Sequence, residues 1–267
     1  VLPPPPGTNA SYYALARGWG ALVAGSFGVV CLVGRARPFT QRVLSAILLA
    51  TLLSLGLMAV GRLDPRRAEA VFANEFDARN IAAVAAMRRD ATVVESSLPK
   101  LAQMARDVAA QQEAVQATMS RYAAPLFPAS LALEALAACA LAWALFHRLS
   151  RARIGAPLAP LRQFTFGDQI VWALLAGIVL LIVPSLGTLD VVGTNLLLFF
   201  GTLYALRGYG IYAWFVSRRA AVTSAALAVV AFPLSLVTVP WAVGLGLSDT
   251  WFDWRRRVKT TLAGPKP

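Results

Sequence analysis

The sequence predicts an all-α membrane protein: a polytopic bundle of about six transmembrane helices with an inserted amphipathic helical hairpin. Hydrophobic residues make up 58% of the chain and charged residues 14%, which is well below the roughly 25% charge of a soluble domain. The apolar residues are gathered into runs of about 20, the length that an α-helix needs to cross roughly 30 Å of hydrocarbon. A charged stretch at 62–123 interrupts these runs.

Six apolar runs are long enough to be membrane spans. Because backbone groups in lipid must pair within their own segment, each run is predicted to be a helix rather than an open strand. The runs cover about 14–34, 42–61, 124–146, 168–187, 191–216 and 222–248. The predicted organisation is two spans (1–61), the hairpin (62–123), four spans (124–250) and a basic tail (251–267).

The stretch 62–123 has the pattern of two amphipathic helices. Asp64 followed by Pro65 is typical of a helix N-terminus, and Pro99 starts a second helix. This second helix carries an apolar seam with spacings of four and three residues, as in a coiled coil. The seam residues are Leu101, Ala105, Val108, Gln112, Val115, Met119 and Tyr122. The seam either packs within the hairpin and on the membrane surface or docks a partner helix.

The basic residues indicate a membrane partner rather than nucleic acid. The chain has 25 lysines and arginines against 13 acidic residues, a net charge of +12, and basic residues stand in short loops between spans, as in cytoplasmic loops. This pattern predicts a multi-pass protein of a bacterial inner (cytoplasmic) membrane with the 62–123 hairpin outside. With six spans, however, the basic segment WRRRVK (254–259) also falls outside, which conflicts with the same rule.

The residue types that metal sites and nucleophilic catalysis need are scarce. Both cysteines, Cys31 and Cys139, lie in apolar runs, and the single histidine, His147, stands at the end of a span. A zinc site needs three or four clustered ligands, and the sequence has no phosphate-binding loop, nucleophile elbow or metalloprotease motif. We therefore expect a non-enzymatic protein without a metal or a cofactor, with His147 at the membrane interface.

Glu134 is an acidic residue within the apolar run ASLALEALAACALAWAL. An ionisable side chain in mid-span costs about 2.5–3.5 kcal/mol on insertion scales, so each one is a candidate functional residue. Small residues share the helical face of Glu134, which is typical of a helix packing seam. Two interpretations stay open: a satisfied carboxylate in a packing seam, or a ligand contact in a central cavity.

Arg207 is the second ionisable residue within a span, in YALRGYGIYAWF. It either extends to the interface beside an aromatic belt or contacts a ligand, with Tyr204 and Asn195 as further ligand-binding candidates. Asn195 lies about 120° around the helix from Arg207, so the two need not share a cavity. An ion pair between Glu134 and Arg207 is compatible with the sequence but not required by it.

The segment after the last span combines aromatic, acidic and basic residues. The candidates for contact with lipid or a partner are Trp251, Asp253, Trp254, Arg255, Arg256 and Arg257. Tryptophan suits the membrane interface, and arginine suits phosphate head groups. The spacing predicts that residues 249–257 continue the last span as an interfacial helix, with Asp253 paired to Arg257. A docking motif for a cytoplasmic partner is the alternative.

Three stretches in the second half of the chain resemble the YybS-like family of bacterial membrane proteins, whose activity is not established. They are RIGAPLAPLRQFTFGDQIVW (153–172), NLLLFFGTLYALRGYGI (195–211) and GLGLSDTWFDWRRR (244–257). Arg207 departs from the family pattern, which has a neutral polar residue there. At longer range the chain is similar to the substrate-binding S components of energy-coupling-factor transporters and to the rod-shape protein MreD, as an analogy of fold.

Two functional hypotheses follow. The first is a non-enzymatic module that binds or transports a small molecule among its helices, as the likeness to S components implies. The second is a membrane scaffold subunit that recruits partner proteins through the 62–123 hairpin and the C-terminal tail. The expected partners are the lipid bilayer and a membrane-protein complex, with a small-molecule ligand under the first hypothesis and nucleic acid under neither.

Overall fold

The protein is described here by a computed structural model that covers residues 9–34, 37–62, 64–95, 98–151, 154–183, 189–216 and 235–255. Within these ranges the regular structure is helical, without strands, so the predicted all-α class is confirmed. The helices are α1 (Ala10–Val33), α2 (Phe39–Val60), α3 (Pro65–Val94), α4 (Pro99–Ala123), α5 (Phe127–Leu149), α6 (Val171–Ile182), α7 (Asp190–Val216) and α8 (Ser235–Phe252). Short 3₁₀ turns at Leu161–Gln163 and Asp168–Ile170 precede α6.

Four of the predicted spans, α1, α2, α5 and α7, are helices long and apolar enough to cross a membrane. The chain is therefore a membrane protein, whereas the bacterial inner membrane and the orientation stay predictions. Of the predicted span at 168–187, the α-helix α6 covers 12 residues, about 18 Å, and residues 184–187 lie outside the described residues. The predicted span at 222–248 is described only from Ser235 onward, and its helix α8 contains Pro240.

The helices divide into two units, one made of Val1–Val33 with Leu44–Leu131 and the other of Gly34–Val43 with Ala132–Pro267. In the first unit, α3 and α4 pack together as the predicted helical hairpin. Helix α3 begins as Asp64 and Pro65 predict. The Arg66 backbone N–H donates to Oδ1 of Asp64 at 2.9 Å, and proline occupies the first turn. Two ion pairs bridge α3 and α4: Arg88 with Glu113 at 2.7 Å, and Arg106 with Glu95.

Small residues, not the predicted seam, bury the facing sides of α3 and α4. The buried positions recur at seven-residue spacing, with Val84 and Ala91 on α3 and Ala102 and Ala109 on α4. Small side chains allow two helix axes to approach closely. The larger seam residues stay outside this contact and are exposed: Leu101, Val108, Val115 and Tyr122. The interpretation that the seam packs within the hairpin, against α3, is therefore wrong.

A buried carboxylate joins α1 to α3 in the first unit. Glu75 accepts hydrogen bonds from Nε of Arg79 at 2.8 Å and from the Asn9 backbone N–H at 3.1 Å. The Arg79 guanidinium in turn lies 5.0 Å from the centre of the Tyr12 ring. The Tyr12 ring also packs on Phe72, with ring centroids 6.4 Å apart. The Glu75 carboxylate and the ring contact between Tyr12 and Phe72 thus hold the start of α1 against α3.

Acid is expected to loosen this junction. The hydrogen bond from Arg79, helped by the one from Asn9, lowers the pKa of Glu75 from its ordinary value of 4.5. Because the pKa is lower in the folded state, the stabilisation is fully present above the unfolded value and is lost as the pH falls through the folded pKa. Hydrogen exchange in the first turn of α1, corrected for intrinsic pH dependence, should accelerate on acidification. In Glu75→Gln, this exchange should already be fast at neutral pH. If the variant instead keeps the wild-type dependence of exchange on pH, the Glu75 carboxylate does not hold α1 against α3.

Glycines set the contact between α7 and α8 in the second unit. A Cβ added to Gly208 of α7 would collide with the Ala242 carbonyl group of α8, and one added to Gly246 of α8 would collide with the Tyr204 carbonyl group of α7. Small residues let membrane helices approach this closely. A similar contact joins α6 to α7 at Gly177 and Gly193. The glycines therefore fix how α7 lies between its two neighbours.

A buried cation near the start of α2 belongs to the same unit. Arg42 is buried, and its Cζ lies 4.9 Å from the centre of the Trp143 ring. The chain after α5 folds back here, so that Trp143 Nε1 donates to the Ala156 carbonyl oxygen at 3.1 Å. The ring nitrogens of His147 lie 3.0 and 3.2 Å from the carbonyl oxygens of Trp143 and Gly155. His147, predicted at the membrane interface, is thus buried in protein near the end of α5.

Candidate functional site

A buried ion pair between α7 and α8 forms the centre of the candidate site. Arg207 and Asp249 are 5% and 3% exposed. Nε of Arg207 donates to Oδ2 of Asp249 at 2.9 Å, and Nη2 of Arg207 donates to the Asp249 carbonyl oxygen at 3.2 Å. The helix contact explains this meeting, because Arg207 adjoins Gly208 and Asp249 follows Gly246 by three residues. The pair holds two charges away from solvent by neutralising one with the other.

The segment before α6 supplies a second carboxylate and an aromatic ring. Nη1 of Arg207 donates to Oδ1 of Asp168 at 3.3 Å, and the Asp168 side chain is largely exposed. The guanidinium carbon of Arg207 lies 5.3 Å from the centre of the Phe166 ring, a favourable cation–π geometry. Phe166 also packs edge-on against Tyr204, with ring centroids 5.0 Å apart. Two different segments, α8 and the chain before α6, therefore hold the Arg207 side chain.

A second arginine approaches the pair from the chain after α8. Nη2 of Arg255 donates to the Phe164 carbonyl oxygen at 3.1 Å and lies 4.0 Å from Oδ2 of Asp249. Burial lowers the pKa of Arg255, and the nearby Asp249 carboxylate opposes that effect. Arginine still keeps its proton in proteins, so Arg207 and Arg255 balance Asp168 and Asp249. Asp253 is a further acidic neighbour of Arg255.

The start of the tail is folded back onto Asp249 rather than extended as a helix. α8 ends at Phe252, and Asp253 has a φ of 41°, in the left-handed region that few residues other than glycine, asparagine and aspartate adopt. The Trp254 backbone N–H donates to Oδ1 of Asp249 at 3.0 Å, and its Nε1 donates to Oγ of Ser248 at 3.0 Å. The predicted continuous helix over 249–257 is therefore wrong at Asp253.

The remaining tail candidates divide between described and undescribed residues. Trp251 is exposed, as expected of an interfacial side chain, whereas Trp254 is half-buried against α8. Arg255 joins the ion-pair cluster, which the sequence did not predict. Arg256 and Arg257 lie outside the described residues, and with them the predicted pair between Asp253 and Arg257.

Three buried polar atoms near the ion pair have no hydrogen bond of good geometry to the described residues, namely the Tyr204 hydroxyl, Oγ1 of Thr250 and Nε of Arg255, although the two hydroxyl groups interact with each other. Tyr204 is fully buried, and Thr250 is among the polar neighbours of its hydroxyl group. Leaving a buried donor or acceptor without a partner costs about 1–3 kcal/mol, and such groups are rare in native proteins. Each of the three atoms therefore has hydrogen-bonding capacity that the described residues leave unused.

Only two of the four candidate ligand-binding residues lie together in the structure. Arg207 and Tyr204 lie in the cluster just described, one turn apart on α7. Asn195 lies further along α7, where Nδ2 donates to the Val191 carbonyl oxygen at 2.8 Å. Glu134 is exposed on α5. The ion pair considered between Glu134 and Arg207 is not formed, because Asp249 and Asp168 occupy the guanidinium.

The acidic partners of Arg207 were missed in the sequence. Asp168 stands at the start of an apolar run, and Asp249 stands at the end of another. Each therefore fits an interfacial position, which an acidic residue occupies without a buried partner. The signal that points to their role is charge balance, because an arginine in mid-span requires a carboxylate on a neighbouring helix.

Comparison with known proteins assigns the chain to a family. Comparisons with curated proteins and with solved structures found no match. A family model described as "Predicted membrane protein (DUF2232)" matches residues 80–250. That segment includes α4 to α7 and nearly all of α8, and thus Arg207, Asp249 and Asp168. The chain therefore belongs to the DUF2232 family of predicted membrane proteins, a domain family of unknown function.

Proposed function

We propose that this protein is a non-enzymatic membrane protein that binds a small polar molecule beside the Arg207–Asp249 ion pair. The observation that carries the proposal is the group of three buried polar atoms with unused hydrogen-bonding capacity, on Tyr204, Thr250 and Arg255. Nε of arginine can only donate, and the two hydroxyl groups can donate as well. The ligand therefore presents oxygen acceptors, as a carboxylate, a phosphate or a polar carbonyl compound does.

The ion pair prepares this site before a ligand binds. Asp249 holds Arg207 through its side chain and its carbonyl oxygen, and it also holds the start of the tail through the Trp254 backbone N–H. These bonds fix the polar atoms in place, and preorganised groups lose little conformational freedom on binding. The finer proposal is a transport module, for which the fold-level analogy to transporter S components is the support.

Tyr204→Phe tests the ligand site because it removes one hydroxyl group and leaves the ring in place. We expect protein extracted in mild detergent to retain a bound small molecule, detectable by native mass spectrometry, and the variant to lose most of it.

Tyr212→Phe is the matched control, on the same helix but with its ring packed on Trp241. It should keep the bound molecule. If wild type and both variants carry the same adducts, the Tyr204 hydroxyl group does not contact the ligand. If wild type carries none and Tyr204→Phe lowers the unfolding temperature, the hydroxyl group serves packing alone and the proposed function is wrong.

A scaffold subunit is the second candidate, and one observation favours it. The apolar seam residues Leu101, Val108 and Val115 of α4 are exposed rather than packed against α3. An exposed apolar helix face is typical of an interaction site. Recovery of the same membrane protein with wild type, and its loss with Val108→Lys, would support this role, whereas equal recovery with both would oppose it.

A further inference from the structure

The exposed face of α4 carries a stripe of apolar residues on both sides of two central glutamines. Its exposed apolar members are Leu101, Met104, Val108, Val115 and Tyr122, each 46–63% exposed. With about 100° between successive residues, these side chains fall within an arc of about 60°. The stripe extends for about 32 Å along the helix. The buried alanines Ala102 and Ala109 face α3 on a different side, so one helix carries two separate contact faces.

From the middle of the stripe toward either end of α4, the stripe residues follow one another at the same intervals. The middle falls between Gln111 and Gln112, and the positions on each side follow at intervals of three, four and three residues. The residue types are identical in three of the four pairs of positions. The positions related by reversal are Gln111 with Gln112, Val108 with Val115, Met104 with Met119, and Leu101 with Tyr122.

We propose that the α4 stripe binds the α4 stripe of a second copy of this chain, in an antiparallel helix pair. A two-fold interface requires that residue i contact residue j of the partner while j contacts i. A stripe that reads the same in both directions meets that requirement when the copies run antiparallel, with Val108 opposite the partner's Val115. This inference does not rest on the ligand site near Arg207.

The glutamines in the middle of the stripe favour protein over lipid as the occupant. Gln111 is exposed and Gln112 is half-buried, and across a two-fold axis each amide faces the other, where the two can exchange hydrogen bonds. Against hydrocarbon the same amides would lose their partners. The charge of α4 also differs from that of a membrane-surface helix, which is rich in lysine and arginine. α4 has three basic and two acidic residues in 25.

The pairing also constrains how α4 lies in the assembly. Two copies in one membrane have the same orientation, so a two-fold axis between them runs along the membrane normal. An antiparallel pair places its helices perpendicular to that axis. Each α4 therefore lies parallel to the membrane plane in the dimer.

Disulfide formation in native membranes distinguishes this arrangement from others. In a full chain with Cys31→Ala and Cys139→Ala, a cysteine at Gln112 lies next to its copy across the axis. Gln112→Cys should therefore form a covalent dimer on mild oxidation. Gln103→Cys, on the exposed opposite face of α4, is the matched control and should stay monomeric.

Cysteines at the two ends of the stripe distinguish antiparallel from parallel pairing. Leu101→Cys alone should give no dimer, because the two copies of position 101 lie about 32 Å apart in an antiparallel pair. Coexpression of Leu101→Cys and Tyr122→Cys chains should give a mixed dimer. A dimer from Leu101→Cys alone, as complete as that from Gln112→Cys, would overturn the antiparallel arrangement.

A non-covalent measurement checks the same surface without cysteines. The mass of the purified protein in detergent should correspond to a dimer, with Val108→Lys giving a monomer and Gln103→Lys leaving the dimer intact. The helical circular dichroism of all three should be equal, which excludes unfolding as the cause. Dimers that survive Val108→Lys, or an absence of dimers in both membranes and detergent, would show that a second copy does not occupy the stripe.

Discussion

Asp249→Asn is expected to lower the free energy of unfolding by about 3 kcal/mol or more, because it leaves the buried guanidinium of Arg207 without its main counter-charge. Both side chains are almost completely buried, so water cannot replace the lost carboxylate. The start of the tail should loosen as well, since Asp249 accepts the Trp254 backbone N–H. The unfolding temperature in detergent measures the first effect, and hydrogen exchange at Trp254 measures the second.

Asp168→Asn is the matched control for this change. Asp168 accepts from the same guanidinium, but its side chain is 65% exposed, and exposed ion pairs contribute about 0–1 kcal/mol. The loss should therefore be small, with no change in exchange at Trp254. Equal losses from the two variants would mean that Arg207 is solvated rather than buried against α8.

Gly246→Ala is expected to separate α7 from α8 and to lower the unfolding temperature strongly. The added Cβ would collide with the Tyr204 carbonyl group and would lie 2.9 Å from the Gly208 backbone nitrogen. Backbone atoms cannot move aside as a flexible side chain can, so the cost should be at the upper end of the about 1–3 kcal/mol typical of overpacking, or above it. The ion pair should break with the helix contact.

Gly244→Ala is the control on the same helix, because a Cβ at Gly244 meets no atom within 4 Å. Alanine is a better helix former than glycine by about 0.8–1.0 kcal/mol, so this variant should be unchanged or slightly more stable than wild type. If Gly244→Ala and Gly246→Ala behave alike, α7 and α8 do not approach each other through Gly246.

The sequence predicted the long apolar helices and the hairpin because these depend on local properties. Run length and backbone pairing in lipid determine α2 and α5, and Asp64 with Pro65 starts α3 as its residue types require. The α-helix α6 starts three residues after the start of the predicted span at 168–187, because run length does not show where a helix begins. There, the chain before Val171 turns to bring Asp168 to Arg207.

The sequence analysis singled out Arg207, at the centre of the candidate site, but not the acidic residues that pair with it. The cost of a charge in mid-span singled out both Arg207 and Glu134, yet only Arg207 lies in the polar cluster. Which helix faces Arg207 depends on the close approach at Gly208, and a glycine in the sequence does not reveal what it will contact. Asp249 was assigned to a tail helix because the i, i+4 rule assumes a continuous helix, which Asp253 interrupts.

The central claim is that the Arg207–Asp249 ion pair holds α7 against α8 and supports the polar site. A double-mutant cycle with Arg207→Gln, Asp249→Asn and the two combined measures the interaction between these side chains directly. The account predicts that the double variant loses much less stability than the sum of the single losses, with a coupling energy toward the upper end of the about 0.5–3 kcal/mol seen for residues in contact. Single losses that add to within about 0.5 kcal/mol would contradict it.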